Sequence, residues 1–231
     1  MKIVNKKKFL KSISISCFIL MMMVMFSNKT YSNANKKYKE ELLRFIQTFD
    51  ATIESISTTP TSIEELKNTN GVVKIELVHY GENNTKKALP LDLESNGTLK
   101  MLHLFDFLMD ALLNGMTLFV DELDAKLHPL LTRYIINLFH NSDKNIANGQ
   151  LIYSTHDTVN LNREIFRRDE IWFVEKDENG ISELYSLSDY IIEDEKGNTK
   201  KVRNDATYNK DYLTGRYGAI PVLKEFEIYE K

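Results

Sequence analysis

This sequence of 231 residues has one cysteine, no two histidines at zinc-binding spacing, and a small net charge. Cys17 is the single cysteine, which excludes an internal disulfide and any cysteine-based metal site. No two histidines are spaced as His-x-x-x-His, so the sequence offers no zinc motif. Charged residues make up 27% of the chain, yet the formal net charge is only −3. The electrostatics therefore give no support to a nucleic-acid-binding function.

Long hydrophobic runs are also rare, and the one exception lies near the start of the chain. Several lysines precede the apolar run Cys17–Phe26, and small residues follow it up to Ala34. This order is typical of a secretory signal or a short anchor, although the run is shorter than the roughly 20 residues of a membrane-spanning helix. Residues 1–34 are therefore interpreted as a signal-like or anchor-like segment, with a displaced piece of the core as the open alternative.

The remainder, residues 35–231, has the composition of a soluble domain and is organised around one short stretch. Residues 117–120 are apolar and β-forming, which predicts a buried strand, and Asp121 and Glu122 follow directly. In open α/β folds the carboxyl edge of the sheet is where ligands bind. One carboxylate at such an edge can hold Mg²⁺, and the other can deprotonate an attacking water. Taken alone, the pair could also be a solvated turn that follows a strand.

Polar residues flank this stretch on both sides. Ser95, Gly97 and Thr98 precede an apolar stretch without proline or glycine, which predicts a helix whose amino terminus suits a phosphate or is simply capped. Downstream, residues 150–153 predict a second buried strand, and His156 follows it. A histidine there can hydrogen-bond a terminal phosphate or merely close the strand.

Strands that alternate with helices predict an α/β fold with a largely parallel sheet flanked by helices and an antiparallel pair at its edge. His79 is expected on the surface of its strand. The predicted helices cover residues 36–49, 99–113, 127–138 and 158–166; the predicted strands cover 72–80, 117–120, 150–153, 170–175 and 183–187; residues 50–70 and 191–210 are predicted as polar connections.

Three motifs in this order resemble the carboxyl half of an ABC-like, AAA-type ATPase, similar to bacterial ATPases related to the OLD and abortive-infection proteins. They are Ser95-x-Gly97-Thr98, then Asp121-Glu122-x-Asp124-x-x-Leu127-His128-Pro129, then Ser154-Thr155-His156-Asp157. The likeness extends over roughly Tyr38 to Phe226. It implies the carboxyl-terminal lobe of a P-loop NTPase fold, with ATP and Mg²⁺ as cofactors.

The resemblance also implies a role for each motif residue. Asp121 would be the Walker B metal residue, Glu122 the catalytic base and His156 the switch histidine on the γ-phosphate. The segment from Asp124 to His128 would be the loop that crosses a dimer interface, while His128 could equally cap the following helix. Ser95, Gly97 and Thr98 would be the signature motif, which meets a nucleotide held by a partner subunit.

One motif of this family is missing. An ATPase of this kind needs a P-loop, G-x-x-x-x-G-K-[ST], and none of the nine glycines is followed by lysine. The sequence therefore predicts either a homodimer or a complex with a partner chain that supplies the P-loop. Such an ATPase would work in the cytoplasm, whereas the signal-like or anchor-like residues 1–34 point to export or a membrane. It would drive a partner effector, for example in phage defence. The alternative is a non-catalytic remnant or interaction module.

Overall fold

The computed structural model describes residues 32–60, 73–193, 199–202 and 207–221. The segment interpreted as signal-like or anchor-like, residues 1–34, lies outside these ranges except for its last three residues, which belong to the first helix. Within the described ranges, no helix has both the length and the hydrophobicity needed to cross a bilayer.

The described residues form four α-helices and nine strands. The helices are α1 (Ser32–Gln47), α2 (Asn96–Asn114), α3 (Pro129–His140) and α4 (Tyr208–Leu213). The strands are β1 (Ile53–Pro60), β2 (Val73–Tyr80), β3 (Lys86–Pro90), β4 (Thr117–Val120), β5 (Gln150–Tyr153), β6 (Trp172–Lys176), β7 (Ser182–Ser186), β8 (Ile191–Glu193) and β9 (Thr199–Lys201).

These elements make a mixed α/β fold with four small sheets. One sheet is antiparallel with the order β1-β2-β3, β4 and β5 form a parallel pair, and β6–β7 and β8–β9 are antiparallel pairs. Among the described strands, parallel pairing is thus limited to β4 and β5, so the largely parallel sheet expected from the sequence is not seen there. The reason lies in the connections: α3 forms the crossover from β4 to β5, whereas short turns reverse the chain between β2 and β3 and between β6 and β7.

The two helices beside the parallel pair begin and end where local chemistry predicts. The Ser95 side chain caps α2, and Gly115 ends it in the left-handed conformation at φ 72°. His128 caps α3, and Pro129 occupies its first turn, where a missing N–H costs nothing. Helix α2 packs against β4 and β5, and α3 packs against β5.

The buried apolar side chains form two clusters. The first lies between α1, α2, α3 and the first two sheets, and it includes Leu42, Leu77, Leu108, Leu123 and Ile135. The second lies around β6, β7 and α4, and its members are Ile171, Phe173, Leu187, Val202, Tyr208 and Tyr217. Phe166 packs against both clusters.

Four stretches differ from the sequence-based prediction. Lys86–Pro90 forms β3, where no strand was predicted, and it pairs with β2. Residues 53–60 were expected within a polar connection, but they form β1, because Ile53 and Ile56 are buried when β1 pairs with β2. Residues 158–166 form turns instead of a helix, because the Asn162 side chain accepts hydrogen bonds from the backbone N–H groups of Glu164 and Ile165. The predicted loop 191–210 contains the β8–β9 pair and the start of α4, and its Val202 and Tyr208 are buried in the second cluster.

Candidate functional site

The two acidic residues and the segment with His156 leave the parallel pair at the same edge. Val120 pairs with Tyr153 at the carboxyl ends of β4 and β5. Ser154 N–H then donates to Val120 O at 3.0 Å, and Leu123 N–H donates to Ser154 O at 3.0 Å. These two backbone bonds extend the pairing past the strands and place Asp121 directly beside Ser154.

A single hydroxyl holds the acidic pair. Ser154 Oγ donates to Asp121 Oδ1 at 2.5 Å and accepts from Glu122 N–H at 2.8 Å. The hydroxyl has one proton and two lone pairs, so it can make both bonds at once. Sequence reasoning assigned no role to Ser154, although it is the first polar residue after β5 and the parallel register sets it opposite Asp121.

Glu122 adopts an uncommon backbone conformation. Its φ is 51°, in the left-handed region that costs a non-glycine residue free energy. Its side chain is exposed and makes no hydrogen bond or ion pair within the described part of the chain. The next residue, Leu123, turns back into the core and is fully buried. The buried leucine and the Ser154 bond together hold a turn that presents the Glu122 carboxylate to solvent.

The amino terminus of α2 packs against this turn. Ser95 Oγ accepts from Thr98 N–H at 3.1 Å and lies 2.9 Å from Thr98 Oγ1. A Cβ atom on Gly97 would lie only 3.3 Å from Lys126 O, which is tighter than an ordinary contact. Gly97 of the predicted signature therefore lies against the backbone at Lys126, and the lack of a side chain at position 97 allows this close approach.

Lys100 joins the same helix to the same turn. Its Nζ donates to Glu122 O at 2.7 Å and to Ala125 O at 2.9 Å. Burial lowers the pKa of the Lys100 ammonium, while the carboxylates of Asp124 and Glu122 oppose that shift. No pattern in the sequence indicates this contact, because a lysine on an amphipathic helix is most often solvated.

Asp124 and His128, the two ends of the predicted interface loop, have different surroundings. Asp124 is half-buried, and its Oδ1 is buried without a hydrogen-bond partner in the described part of the chain. His128 Nδ1 accepts from Leu130 N–H at 3.2 Å, which is the capping role considered for it from the sequence. An orphaned carboxylate oxygen inside a folded domain needs an explanation, such as a ligand or partner that supplies a donor.

His156 lies two residues beyond Ser154 and is exposed. It makes no hydrogen bond or ion pair with the described residues. The chain after it is fixed by Asn160, which is 4% exposed. Asn160 Nδ2 donates to Pro129 O at 3.1 Å, and its Oδ1 accepts from Arg133 Nε at 2.9 Å. Asn160 therefore ties the segment after β5 to the start of α3.

The edge thus carries exposed carboxylates at Asp121 and Glu122, an exposed imidazole at His156 and a half-buried ammonium at Lys100. Within the described ranges, no group of three or more His, Cys, Asp or Glu side chains is placed to hold a metal ion. Magnesium usually binds one or two protein carboxylates together with phosphates and water. The donor set therefore fits Mg²⁺ that is held jointly with a nucleotide, and it does not fit an all-protein metal site.

The comparison with known protein families agrees with these motifs. Residues 23–162 match the family described as "AAA domain, putative AbiEii toxin, Type IV TA system", and this match spans more than half of the chain and every predicted site residue. No curated protein matches the chain. The chain therefore belongs to this family of AAA domains, whose fold is that of the P-loop ATPases.

Proposed function

We propose that this chain supplies one half of an ATP-hydrolysing site. Asp121 would bind the magnesium of Mg·ATP, Glu122 would take the proton of the attacking water, and His156 would hydrogen-bond the γ-phosphate. Bound Mg²⁺ would neutralise phosphate charge as the terminal bond breaks. Ser95, Gly97, Thr98 and Asp124 would contact a nucleotide held mainly by another subunit.

The observation that carries this proposal is the bracing of the acidic pair by Ser154. A solvated turn after a strand needs no fixed side chains, yet here one hydroxyl bonds both to the Asp121 carboxylate and to the Glu122 backbone. The turn also retains a left-handed conformation at Glu122. A strained backbone and a carboxylate held by a hydrogen bond at a sheet edge are typical of a site prepared for a ligand.

The other half of the site would come from outside this chain. No glycine here is followed by lysine, so the chain has no P-loop to hold the β- and γ-phosphates. A partner chain that carries a P-loop is the partner we favour, and a second copy of this chain is expected to complete the signature contacts. Because the chain would then use ATP, we place its work in the cytoplasm, where it would drive a partner effector of the toxin or abortive-infection kind.

A second candidate function rests on the same missing P-loop. In this alternative, the chain keeps the AAA fold as an interaction module and hydrolyses nothing. The exposed Asp121, Glu122 and His156 would then have no chemical role.

Hydrolysis of Mg·ATP by the purified full chain distinguishes the two candidates, measured alone and with the polypeptide encoded immediately upstream. We expect phosphate release in the mixture, and a loss of about 100-fold or more on Glu122→Gln, because the base is removed while the site keeps its shape. Glu178→Gln, in the exposed turn between β6 and β7, is the matched control and should retain full activity.

Two results would contradict the proposal. Hydrolysis that survives Glu122→Gln would remove the base assignment. The absence of both ATP binding and phosphate release in the chain and in the mixture would favour the interaction module.

A further inference from the structure

A cavity of about 570 Å³ lies beside the second cluster, and none of the candidate site residues lines it. Its volume falls within the range of small-molecule binding sites. The cavity is lined by Arg163, Glu164, Arg167, Arg168, Asp169 and Tyr208. Three of these six side chains are arginines, whose planar set of N–H donors matches the oxygens of a phosphate or carboxylate. The lining therefore favours an anionic ligand.

Two of the arginines are oriented by other parts of the chain. Arg167 donates through Nε and Nη2 to the Asp169 carboxylate, at 3.1 and 2.9 Å, and Glu170 Oε1 lies 3.4 Å from the same Nη2. These two carboxylates neutralise Arg167. Arg168 is half-buried, donates through Nη1 to Val202 O and has no carboxylate partner within the described residues. Arg168 therefore keeps most of its donors free while its position is held, which reduces the entropy lost on binding a ligand.

Two other groups at the cavity have unused hydrogen-bond donors. Arg163 is exposed and makes no hydrogen bond or ion pair with the residues that the structure describes. Tyr208 is only 3% exposed, and its hydroxyl makes no hydrogen bond within the described ranges. A tyrosine hydroxyl in so enclosed a position usually has a partner. An oxygen of a bound anion can accept hydrogen bonds from both groups.

The charges at the cavity leave a local positive surplus. Asp169 is compensated by Arg167, so Arg163 and Arg168 remain against Glu164 alone. Glu164 is exposed and unpaired within the described part of the chain, and it is the one side chain here that opposes an anion. The net charge of −3 belongs to the whole chain, and charges farther away than about 8 Å are largely screened at physiological salt. The overall charge therefore does not exclude a local anion site.

An exposed indole lies at the same place. Trp172 is 55% exposed, and its Nε1 donates to Asp169 O at 3.1 Å. This bond holds the ring against the backbone of a residue that lines the cavity. Proteins that bind nucleotides or single strands combine an aromatic ring, on which a base stacks, with basic side chains that contact the phosphate. The ring and the arginines together thus distinguish a nucleotide from a simple anion.

We propose that this cavity binds a nucleoside phosphate. The phosphate contacts Arg163, Arg168 and the Tyr208 hydroxyl, and the base stacks on Trp172. A free nucleotide and a single strand of RNA or DNA present this same chemistry, so the test below includes both. The cavity shares no residue with the proposed ATP-hydrolysing site, and the proposal does not rest on that function.

The fluorescence of Trp172, the only tryptophan, measures occupation of this cavity in the full chain. We expect AMP to quench it saturably, because a stacked base quenches an indole, and EDTA is present to prevent Mg²⁺-dependent binding at the candidate site. Inorganic phosphate should displace AMP without quenching, since it has no base. Single-stranded oligo(A) distinguishes the sources: tighter binding than AMP with a steep salt dependence assigns the cavity to a nucleic-acid strand, and binding no tighter than AMP assigns it to a free nucleotide.

Three variants test the individual contacts. Arg163→Gln should weaken AMP binding about tenfold, because a charged hydrogen bond to the phosphate is lost. Glu164→Gln should tighten it about threefold, because an opposing exposed charge is removed. In Trp172→Leu, calorimetry should show that AMP no longer binds better than inorganic phosphate. Arg44→Gln, which removes an exposed arginine of α1, is the matched control, and circular dichroism verifies that each variant is folded.

Several results would overturn the proposal. The absence of saturable quenching by both AMP and oligo(A) would show that no nucleoside phosphate binds here. Equal losses in Arg163→Gln and Arg44→Gln, or no loss in either, would show that the cavity does not hold the phosphate. A preference for AMP over phosphate that survives Trp172→Leu would remove the stacking contact. None of these measurements involves ATP hydrolysis, so this proposal and the proposed function can fail separately.

Discussion

At the scale of single residues, His79 of β2 joins two segments that are distant in the sequence. The prediction of a surface position for His79 was wrong: its side chain is only 16% exposed and lies 2.9 Å, through Nε2, from Glu94 Oε1. The Glu94 side chain is only 4% exposed. Nδ1 of the same ring lies 3.0 Å from Thr52 Oγ1, so the ring bridges the residue directly before β1 and the residue directly before Ser95.

Removing this imidazole should destabilise the fold. We expect His79→Ala to lower the free energy of unfolding by about 3 kcal/mol, because a buried carboxylate is left without its partner. Urea unfolding followed by circular dichroism measures the loss. Asp169→Ala, which breaks an exposed ion pair with Arg167, is the control and should change little. Equal losses in the free energy of unfolding of the two variants would show that the His79–Glu94 contact stabilises the fold no more than an exposed ion pair does.

A second residue, Asp106 on α2, predicts a pH dependence of stability. Burial raises the pKa of its carboxyl, the nearby Asp110 raises that pKa further, and the hydrogen bond donated by Tyr38 OH at 2.7 Å opposes the rise. Its Oδ2 is buried without a partner in the described part of the chain. The folded protein therefore binds this proton more tightly than the unfolded chain does.

The sign of the effect follows from proton linkage. The contribution of Asp106 to stability is fully present below about pH 4, the ordinary value for aspartate, and is lost as pH rises through the elevated pKa. Asp106→Asn should remove this loss. The free energy of unfolding of the wild type minus that of the variant, measured by urea titration, should therefore decrease as the pH rises from 4. Asp143→Asn, an exposed control, should leave the difference constant. A flat difference for Asp106→Asn would contradict the prediction.

At the scale of elements, α2 and the turn after β4 act as one unit through Lys100. Its ammonium donates to the carbonyl oxygens of Glu122 and Ala125, and Gly97 lets the helix end approach Lys126. The turn itself has left-handed residues at Glu122 and Lys126. Backbone of this kind keeps its conformation only when its surroundings hold it.

Lys100→Met should loosen this turn without unfolding α2. Methionine keeps the apolar stem and the helix propensity but loses two charged hydrogen bonds, so we expect about 1–2 kcal/mol lower stability. Amide hydrogen exchange should accelerate at residues 122–127 and stay unchanged in β1 and β2. Lys144→Met, in the exposed loop after α3, is the matched control. Uniform acceleration across the domain would show that Lys100 contributes only general stability.

At the scale of the whole molecule, Phe166 connects the two apolar clusters. Its ring centroid lies 5.8 Å from that of His140 on α3 and 6.5 Å from that of Tyr153 on β5, and the side chain also packs against the second cluster. Most large side chains in the core belong to one cluster alone. A residue shared by two clusters couples their unfolding.

Phe166→Ala should therefore reduce the cooperativity of unfolding. Trp172 lies in β6 beside the second cluster, whereas most helical residues surround the first. We expect the urea transitions seen by tryptophan fluorescence and by far-ultraviolet circular dichroism to coincide in wild type and to separate in Phe166→Ala. Phe139→Ala, which touches only the first cluster, should destabilise without separating them. Coincident transitions in both variants would show that Phe166 is not the link.

Much of the region around the candidate site was predictable from the sequence. The strands β4 and β5, helix α2 with its Ser95 cap, and helix α3 with proline in its first turn lie where the sequence places them. Strands β6 and β7 pair antiparallel as predicted, but they form a separate two-stranded sheet and not the edge of the parallel one. Each has a strong local signal: an apolar run of strand length, a helical apolar face, or a residue with a special capping role.

The residues that hold the site were not predictable in the same way. Ser154 is 33 positions from Asp121, Lys100 is 22 from Glu122, and Asn160 is 27 from Arg133. Whether such polar side chains meet depends on strand register, helix rotation and rotamer. Periodicity reports none of these, because it records only which side of an element is apolar.

The sequence by itself determined the order of α1, β2, α2, β4, α3, β5, β6 and β7, the acidic pair after β4, the histidine after β5 and the absence of any Gly-Lys pair in the printed sequence. All of these follow from residue type and near-neighbour spacing, which the fold does not change. Only the tertiary structure decided that Ser154 braces Asp121 and Glu122, that Lys100 joins α2 to their turn, and that Arg163, Arg168 and Tyr208 line one cavity. Those features arise from contacts between distant segments, whose geometry exists only once the chain has packed.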